Sequence, residues 1–347
     1  MPVTVIVGGQ FGSEGKGKVA HWLAREMGAT VAIRVGGPNS GHTVVDETGA
    51  PIIFKQLPTA AILPEVHCVL PAGSYIRVDL LFEEMRTSKL APERLRIDPN
   101  AVVITDREIA EEKSSSLRAE IGSTESGTGA AVVARIRRKP EVKLARDESA
   151  LRDFVSPTTL FLRDRLQRRQ RVIVEGTQGF GLSALHSPHY PFATSRDTTA
   201  AAFVAEAGLS PFDVDDIVLV IRAFPIRVAG NSGPLNDEIS WEEVTRVSGA
   251  KSPIAEFTSV TRRLRRVARF HPSVVTQALS VNCPTRVVLN HLDHVDAECA
   301  YLQTITPSAA RFVREVELAI GARINLLGCD PRGLLAARAT IVAEKQR

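Results

Sequence analysis

Residues 3–18 constrain the chain more than any other stretch. A β-branched run, Val3-Thr4-Val5-Ile6-Val7, opens directly into Gly8-Gly9-Gln10-Phe11-Gly12-Ser13-Glu14-Gly15-Lys16-Gly17-Lys18. A strand that ends in a glycine-rich turn before a helix aims several backbone N–H groups and the positive end of the helix at one anion. Lys16 adds a point charge, so the segment reads as a P-loop-like phosphate cradle. It departs from the Walker A pattern: five residues separate Gly9 from Gly15, and Gly17 follows Lys16 where a magnesium-binding Ser or Thr is expected.

The rest of the pattern fits such a cradle. Short β-branched runs recur at 3–7, 31–35, 66–70, 102–105, 172–175, 217–222 and 286–290, with helical periodicity at 18–27, 80–88 and 198–206. That alternation predicts an α/β fold with a mainly parallel central sheet flanked by helices, and ligands at the carboxyl ends of the strands. We expect one domain over 1–347, with helical and loop excursions at about 80–165 and 230–285, and a surface or interface helix in the charge-rich stretch 139–153. The net charge of +4 comes from scattered basic residues, which suits small anionic substrates better than a polynucleotide. Cys68, Cys283, Cys299 and Cys329 form no CxxC pair and read as buried thiols. No leader pattern opens the chain and no apolar run reaches the ~18 residues of a membrane span, so the expected setting is cytoplasmic, without membrane or nucleic-acid partners.

Further motifs carry chemistry. Asn39-Ser40-Gly41-His42 follows a second strand-to-glycine transition, where a carbonyl can meet a metal and His42 can serve as a general acid or simply pack. The hydroxyl-rich 122–129 turn suits a phosphate monoester. Gln178 sits at a strand end where its amide can read a base, and Thr194 opens another hydroxyl-rich turn. Thr258-Ser259-Val260-Thr261-Arg262-Arg263-Leu264-Arg265-Arg266 combines hydroxyls with guanidiniums able to grip a carboxylate bidentately. Asn290-His291-Leu292-Asp293 has the spacing of the purine-reading N-K-x-D motif, with His291 in the lysine's place. The set implies a nucleoside triphosphate, a second phosphorylated ligand and a carboxylate.

In order and spacing these landmarks resemble the adenylosuccinate synthetase family from end to end, at the length of its short archaeal form. The resemblance implies a magnesium-dependent C–N ligase in which the 6-oxygen of a purine monophosphate takes the γ-phosphate of a triphosphate and L-aspartate then displaces it. It places Gly12, Glu14, Gly15, Lys16, Gly17, Gly41, His42, Thr43, Asn290, His291 and Asp293 at the triphosphate, and Ser13 and Gly41 at Mg2+. Ser13, Asn39, Ser123, Thr124, Gln178 and Thr194 fall at the monophosphate, and Ser259, Val260, Thr261, Arg263 and Arg265 at aspartate. Ser13, Lys16, His42 and Gln178 carry the catalytic roles. A homodimer is implied, with Arg135, or Arg138 as the alternative, completing the partner's site. The family's loop has aspartate, its general base, where this chain has Ser13. In that respect the chain most resembles the phage-type 2-aminoadenylosuccinate synthetases, which act on dGMP. The open choices are ATP, dATP or GTP as donor, an IMP-specific enzyme, and a non-catalytic nucleotide-binding homologue.

Overall fold

A computed structural model describes residues 2–258, 263–302 and 304–337. Its centre is a nine-stranded sheet built from β1 (Val3–Gly8), β2 (Val31–Arg34), β3 (His67–Leu70), β4 (Leu95–Ile97), β5 (Val172–Glu175), β6 (Val214–Arg222), β7 (Arg286–Asn290), β8 (Leu326–Leu327) and β9 (Leu335–Ala336). Across the sheet the order is β9-β8-β7-β6-β1-β5-β2-β3-β4, which puts the first strand in the middle. Every neighbouring pair is parallel except β8 with β9. Strands buried on both faces need continuous apolar runs, and β1 is buried at every position.

The strand period of two divides the core. Val3, Val5, Val7, Val174, Leu219 and Leu289 join one cluster with Phe203, Val275 and Val313 from the helices Ala200–Glu206, Ser273–Asn282 and Pro307–Ile320. Ile6, Ile173, Val218, Val220 and Val288 point the other way, onto Val19, Ala20, Leu23 and Ala24 of α1 (Lys16–Glu26). With both faces covered, polar groups are left at the strand ends. Arg34, Glu175, Arg222 and Asn290 are the last residues of β2, β5, β6 and β7, and all four are buried around the loop that leaves Gly8.

Two excursions frame that edge. Residues between β2 and β5 carry the hairpin His42–Val45 with Pro51–Phe54 and two smaller apolar clusters. Beyond β6 a three-stranded sheet of Ile226–Arg227, Glu238–Ile239 and Arg266–Ala268 packs with Trp241 and Val244.

Three sequence expectations need correction. The 102–105 run forms only the strand Val102–Val103, paired with Tyr75–Ile76 away from the main sheet, because Thr105 caps the helix Asp106–Ser114 in a capping box with Glu108. The 139–153 stretch holds two 3-10 turns, Ala145–Asp147 and Ser149–Leu151, and no α-helix. Two of its backbone bonds run sideways, Ala145 N–H to Ala101 O at 2.8 Å and Val103 N–H to Lys143 O at 2.9 Å, which removes those groups from α-helical use. Cys283 is exposed, since it ends the helix Ser273–Asn282 in a left-handed conformation, whereas the other three cysteines are buried.

Phe203 has no exposed surface and fills the space over Gly176, where an added Cβ would lie 2.1 Å from its ring. Phe203→Ala is expected to lower unfolding free energy by about 3–5 kcal/mol. Denaturant titration checks this, and a loss below about 1 kcal/mol would place Phe203 outside the cooperative core.

Candidate active site

The loop after β1 is shaped by a carboxylate beneath it. Glu14 is fully buried; its Oε1 accepts the N–H groups of Gln10 at 3.1 Å and Gly12 at 2.8 Å, and its Oε2 accepts Lys16 Nζ at 2.7 Å. Gly8 and Gly179 are glycine because an added Cβ would sit 2.7 and 2.4 Å from those carboxylate oxygens. Neighbouring strands brace the loop from outside. Arg222 Nη1 donates to the Ser13 carbonyl at 2.8 Å, and Asn290 Nδ2 donates to the Glu14 carbonyl at 2.7 Å. Gly12, Ser13 and Gly15 all take positive φ (+86°, +58°, +87°), which turns Glu14 inward and leaves Ser13 exposed. Glu14 thus works from under the loop, as its organiser, instead of facing a ligand.

A second buried network stands beside it. Glu175 Oε1 accepts Arg34 Nη1 at 2.7 Å and meets His42 Nδ1 at 2.5 Å, while Oε2 accepts both the backbone N–H and the hydroxyl of Thr59 at 2.8 Å. The Arg34 guanidinium also lies directly against His42 Nδ1. Burial, then the Arg34 charge, pulls the His42 pKa down to about 3, against the upward pull of Glu175. Burial pushes Glu175 up, but the bonds from His42, Arg34 and Thr59 hold it below the usual carboxylate range. His42 is therefore neutral in the free protein, with Nδ1 engaged and Nε2 left for the cavity.

Above these networks opens a cavity of about 640 Å3. It gathers most of the residues singled out in the sequence: Gly12, Ser13, Lys16, Asn39, Gly41, His42, Ser123, Thr124, Gln178, Thr194, Arg263 and Arg265. Asn39 Nδ2 reaches Thr194 Oγ1 at 3.5 Å, joining two turns expected at the monophosphate. Gly15 and Gly17 lie under the loop, against Asn290 and His42, and Thr43 is exposed on the hairpin strand beside Gly17. Ser259, Val260 and Thr261 lie outside the described residues. Arg135, on the helix Thr128–Ile136, does not line this cavity: its guanidinium donates to the carbonyls of Ala72 at 2.8 Å and Asn100 at 3.0 Å.

Asn290, His291 and Asp293 form a separate group behind the loop. Lys18 joins it, donating to the Asp330 carbonyl at 2.9 Å; burial lowers its pKa to about 8 against Asp293 and Asp330. An added Cβ at Gly328 would meet Asn290 Oδ1 at 2.0 Å and Lys18 Nζ at 2.4 Å, so 328–330 closes this corner.

Three site residues have no signal in the sequence. Arg222 is an apolar-strand residue until the fold shows it holding Ser13. Glu112, on the cavity wall, accepts the N–H groups of Gly127 at 2.7 Å, Gly129 at 2.6 Å and Ala130 at 3.1 Å, so a carboxylate already sits at the start of Thr128–Ile136. Arg227 lies 4.1 Å over the Phe11 ring, 2 % exposed, with Nε and Nη2 unpartnered among the described residues. A buried cation with free donors on a cavity wall calls for an acceptor from a ligand. Each of the three depends on a contact made across the fold, which a local window does not contain.

The family model described as adenylosuccinate synthetase matches residues 5–146 and 139–305. The chain belongs to the adenylosuccinate synthetase family. Adenylosuccinate synthetases of Archaeoglobus fulgidus and Methanocaldococcus jannaschii are 32% and 34% identical to it, over 95% and 94% of this chain and 96% and 94% of theirs. Among solved structures, the succinoaminodeoxyadenylate synthetase (PurZ) of cyanophage S-2L, bound to dGMP and to dATP as energy donor, superposes with a TM-score of 0.82 at 30% identity over 100% of this chain and 99% of that one. The fully ligated adenylosuccinate synthetase of Plasmodium falciparum shares the fold, with a TM-score of 0.84 at 18% identity and coverage of 97% and 100%.

Adenylosuccinate synthetases are magnesium-dependent C–N ligases, and the donors here suit Mg2+ held chiefly through phosphate oxygens. The Ser13 hydroxyl and Gly41 are neutral oxygen donors on the cavity, while the loop's own carboxylate, Glu14, is committed inside the loop. Among the described residues no helix is long and apolar enough to cross a membrane.

A polyanion beside Lys16 and His42 raises the depressed His42 pKa, so triphosphate binding is expected to take up protons at pH values above the free-state pKa of about 3 and below the raised one. Calorimetry in buffers of different ionisation enthalpy measures this. Heats independent of buffer, or the same proton uptake in His42→Asn, would contradict it.

Proposed function

We propose that the protein condenses dGMP with L-aspartate, using ATP or dATP, to give 2-amino-2′-deoxyadenylosuccinate. The observation that carries this reading is Ser13, exposed on a left-handed turn across the same cavity as Gln178, at the position where the family has its aspartate base. A carboxylate there is bulkier and would crowd the 2-amino group of guanine beside N1. A hydroxyl is smaller and accepts a hydrogen bond from it. The likeness to a phage synthetase solved with dGMP and dATP supports the same substrates.

In this mechanism the O6 of dGMP attacks the γ-phosphorus and the nucleoside diphosphate leaves. The amine of aspartate then bonds to C6, the C6–O bond breaks, and phosphate departs with the oxygen. Lys16 and the loop N–H groups carry the phosphoryl charge, and His42 Nε2 meets the bridging oxygen as charge builds there. Ser13 and Gly41 would hold Mg2+ together with the phosphates, and the ion would supply charge neutralisation. Asn39, Ser123, Thr124 and Thr194 bind the 5′-phosphate and Gln178 the base. Ser13 has no basicity near neutral pH, so it orients N1 while the proton passes to water or a phosphate oxygen. Arg263 and Arg265, with the adjoining Ser259, Val260 and Thr261, receive aspartate. At the donor base, His291 replaces the lysine whose stem packs on guanine, which favours adenine. Arg135 reaches the partner's monophosphate site in a homodimer, flanked on its helix by the exposed Val133 and Ile136.

The family relatives among archaea support a second reading, IMP with GTP. Purified protein with aspartate, Mg2+ and ATP, dATP or GTP, offered dGMP or IMP, separates them by the succinyl product formed. Product from dGMP is expected; product from IMP alone overturns the proposal, and nucleotide binding without product indicates a non-catalytic homologue. Ser13→Asp is expected to reduce dGMP turnover roughly tenfold or more. Unchanged dGMP turnover in that variant would remove Ser13 as the discriminator.

A further inference from the structure

We propose that Glu256, His291 and His294 bind a divalent transition ion of the Zn2+ class, at a site separate from the phosphate-held Mg2+. One ligand atom from each of the three residues lies within 4.8 Å of the others. Two imidazoles and one carboxylate are the donor set of borderline metals, whereas Mg2+ takes oxygen and keeps its waters.

The local backbone presents the pair of histidines. His291 takes φ +63° immediately after β7 and precedes the single 3-10 turn Leu292–His294, so His294 N–H donates to the His291 carbonyl at 3.2 Å. That turn brings the two rings to 5.1 Å between centroids. The Trp241 edge holds His294 from the far side at 6.1 Å. His294 is 7 % exposed, and its Nδ1 has no hydrogen-bond partner among the described residues. Buried polar groups are almost always paired, so this nitrogen is open to a ligand.

Glu256 arrives from the other excursion, fixed by its carbonyl, which accepts the Arg265 N–H at 2.8 Å, and by Arg222 on its carboxylate. The guanidinium does not exhaust it, because an ionised carboxylate offers about four lone-pair directions. The same Arg222 holds the Ser13 carbonyl, so an ion bound here would tie the turn after β7 to Glu256, two residues before Thr258 on the cavity wall, and to the arginine under the phosphate loop.

Protein stripped with a chelator and titrated with Co2+ tests the site through the visible absorption of bound cobalt and through binding calorimetry. One Co2+ per chain is expected, displaced by Zn2+ and not by excess Mg2+. His294→Gln and His291→Lys should each weaken binding by about tenfold or more. Should His294→Gln fail to fold by circular dichroism, His291→Lys decides, since it installs the residue that the family carries there. No cobalt absorption in the wild-type chain, or binding equally tight in His291→Lys, overturns the proposal.

Discussion

The buried Glu14 carboxylate is the constraint on which the site depends. It gathers two loop N–H groups and the Lys16 ammonium, and the glycines at 8 and 179 let the backbone close around it. A buried charge without partners costs several kcal/mol, so the loop has one low-energy arrangement, and that arrangement presents Ser13. Lys16 is held ready over the cavity by a counter-charge from which an incoming phosphate can draw it. The phosphate loop is thus preorganised from below by electrostatics and from the sides by Arg222 and Asn290.

Glu175 has the matching role at the end of the neighbouring strand. It keeps Arg34 charged in the interior and fixes the ring of His42, leaving Nε2 for chemistry. Two carboxylates, Glu175 at the end of its strand and Glu14 in the loop past the adjacent one, therefore hold Lys16 and His42 in place. With both tied up in structure, the side chain at the family's base position is a hydroxyl. In the proposed reaction that division links the architecture to a choice of purine: the loop and His42 serve phosphoryl transfer, and Ser13 is the group that changes at the base edge.

Much of this was legible in the residues. The runs at 172–175 and 286–290 coincide with β5 and β7, because a strand buried on both faces is continuously apolar and ends where polarity begins. The cradle, the Asn39–His42 turn and the hydroxyl-rich turns could be read because they are local in sequence. Failures fall where local signals compete with distant partners. The 139–153 stretch is charge-rich, yet Lys143 and Ala145 bond across to Val103 and Ala101 and the rest closes into short 3-10 turns. Arg222, Arg227 and Glu112 look unremarkable in their own windows.

The sequence by itself determined the parallel α/β core, the phosphate loop, the family and the replacement of a carboxylate by Ser13, since each rests on spacing within a short segment. Only the tertiary structure decided that Glu14 faces inward, that His42 is neutral beside Arg34 and Glu175, and that Glu256 meets His291 and His294. Those outcomes depend on burial and on charges brought together from separate strands, which no local pattern encodes.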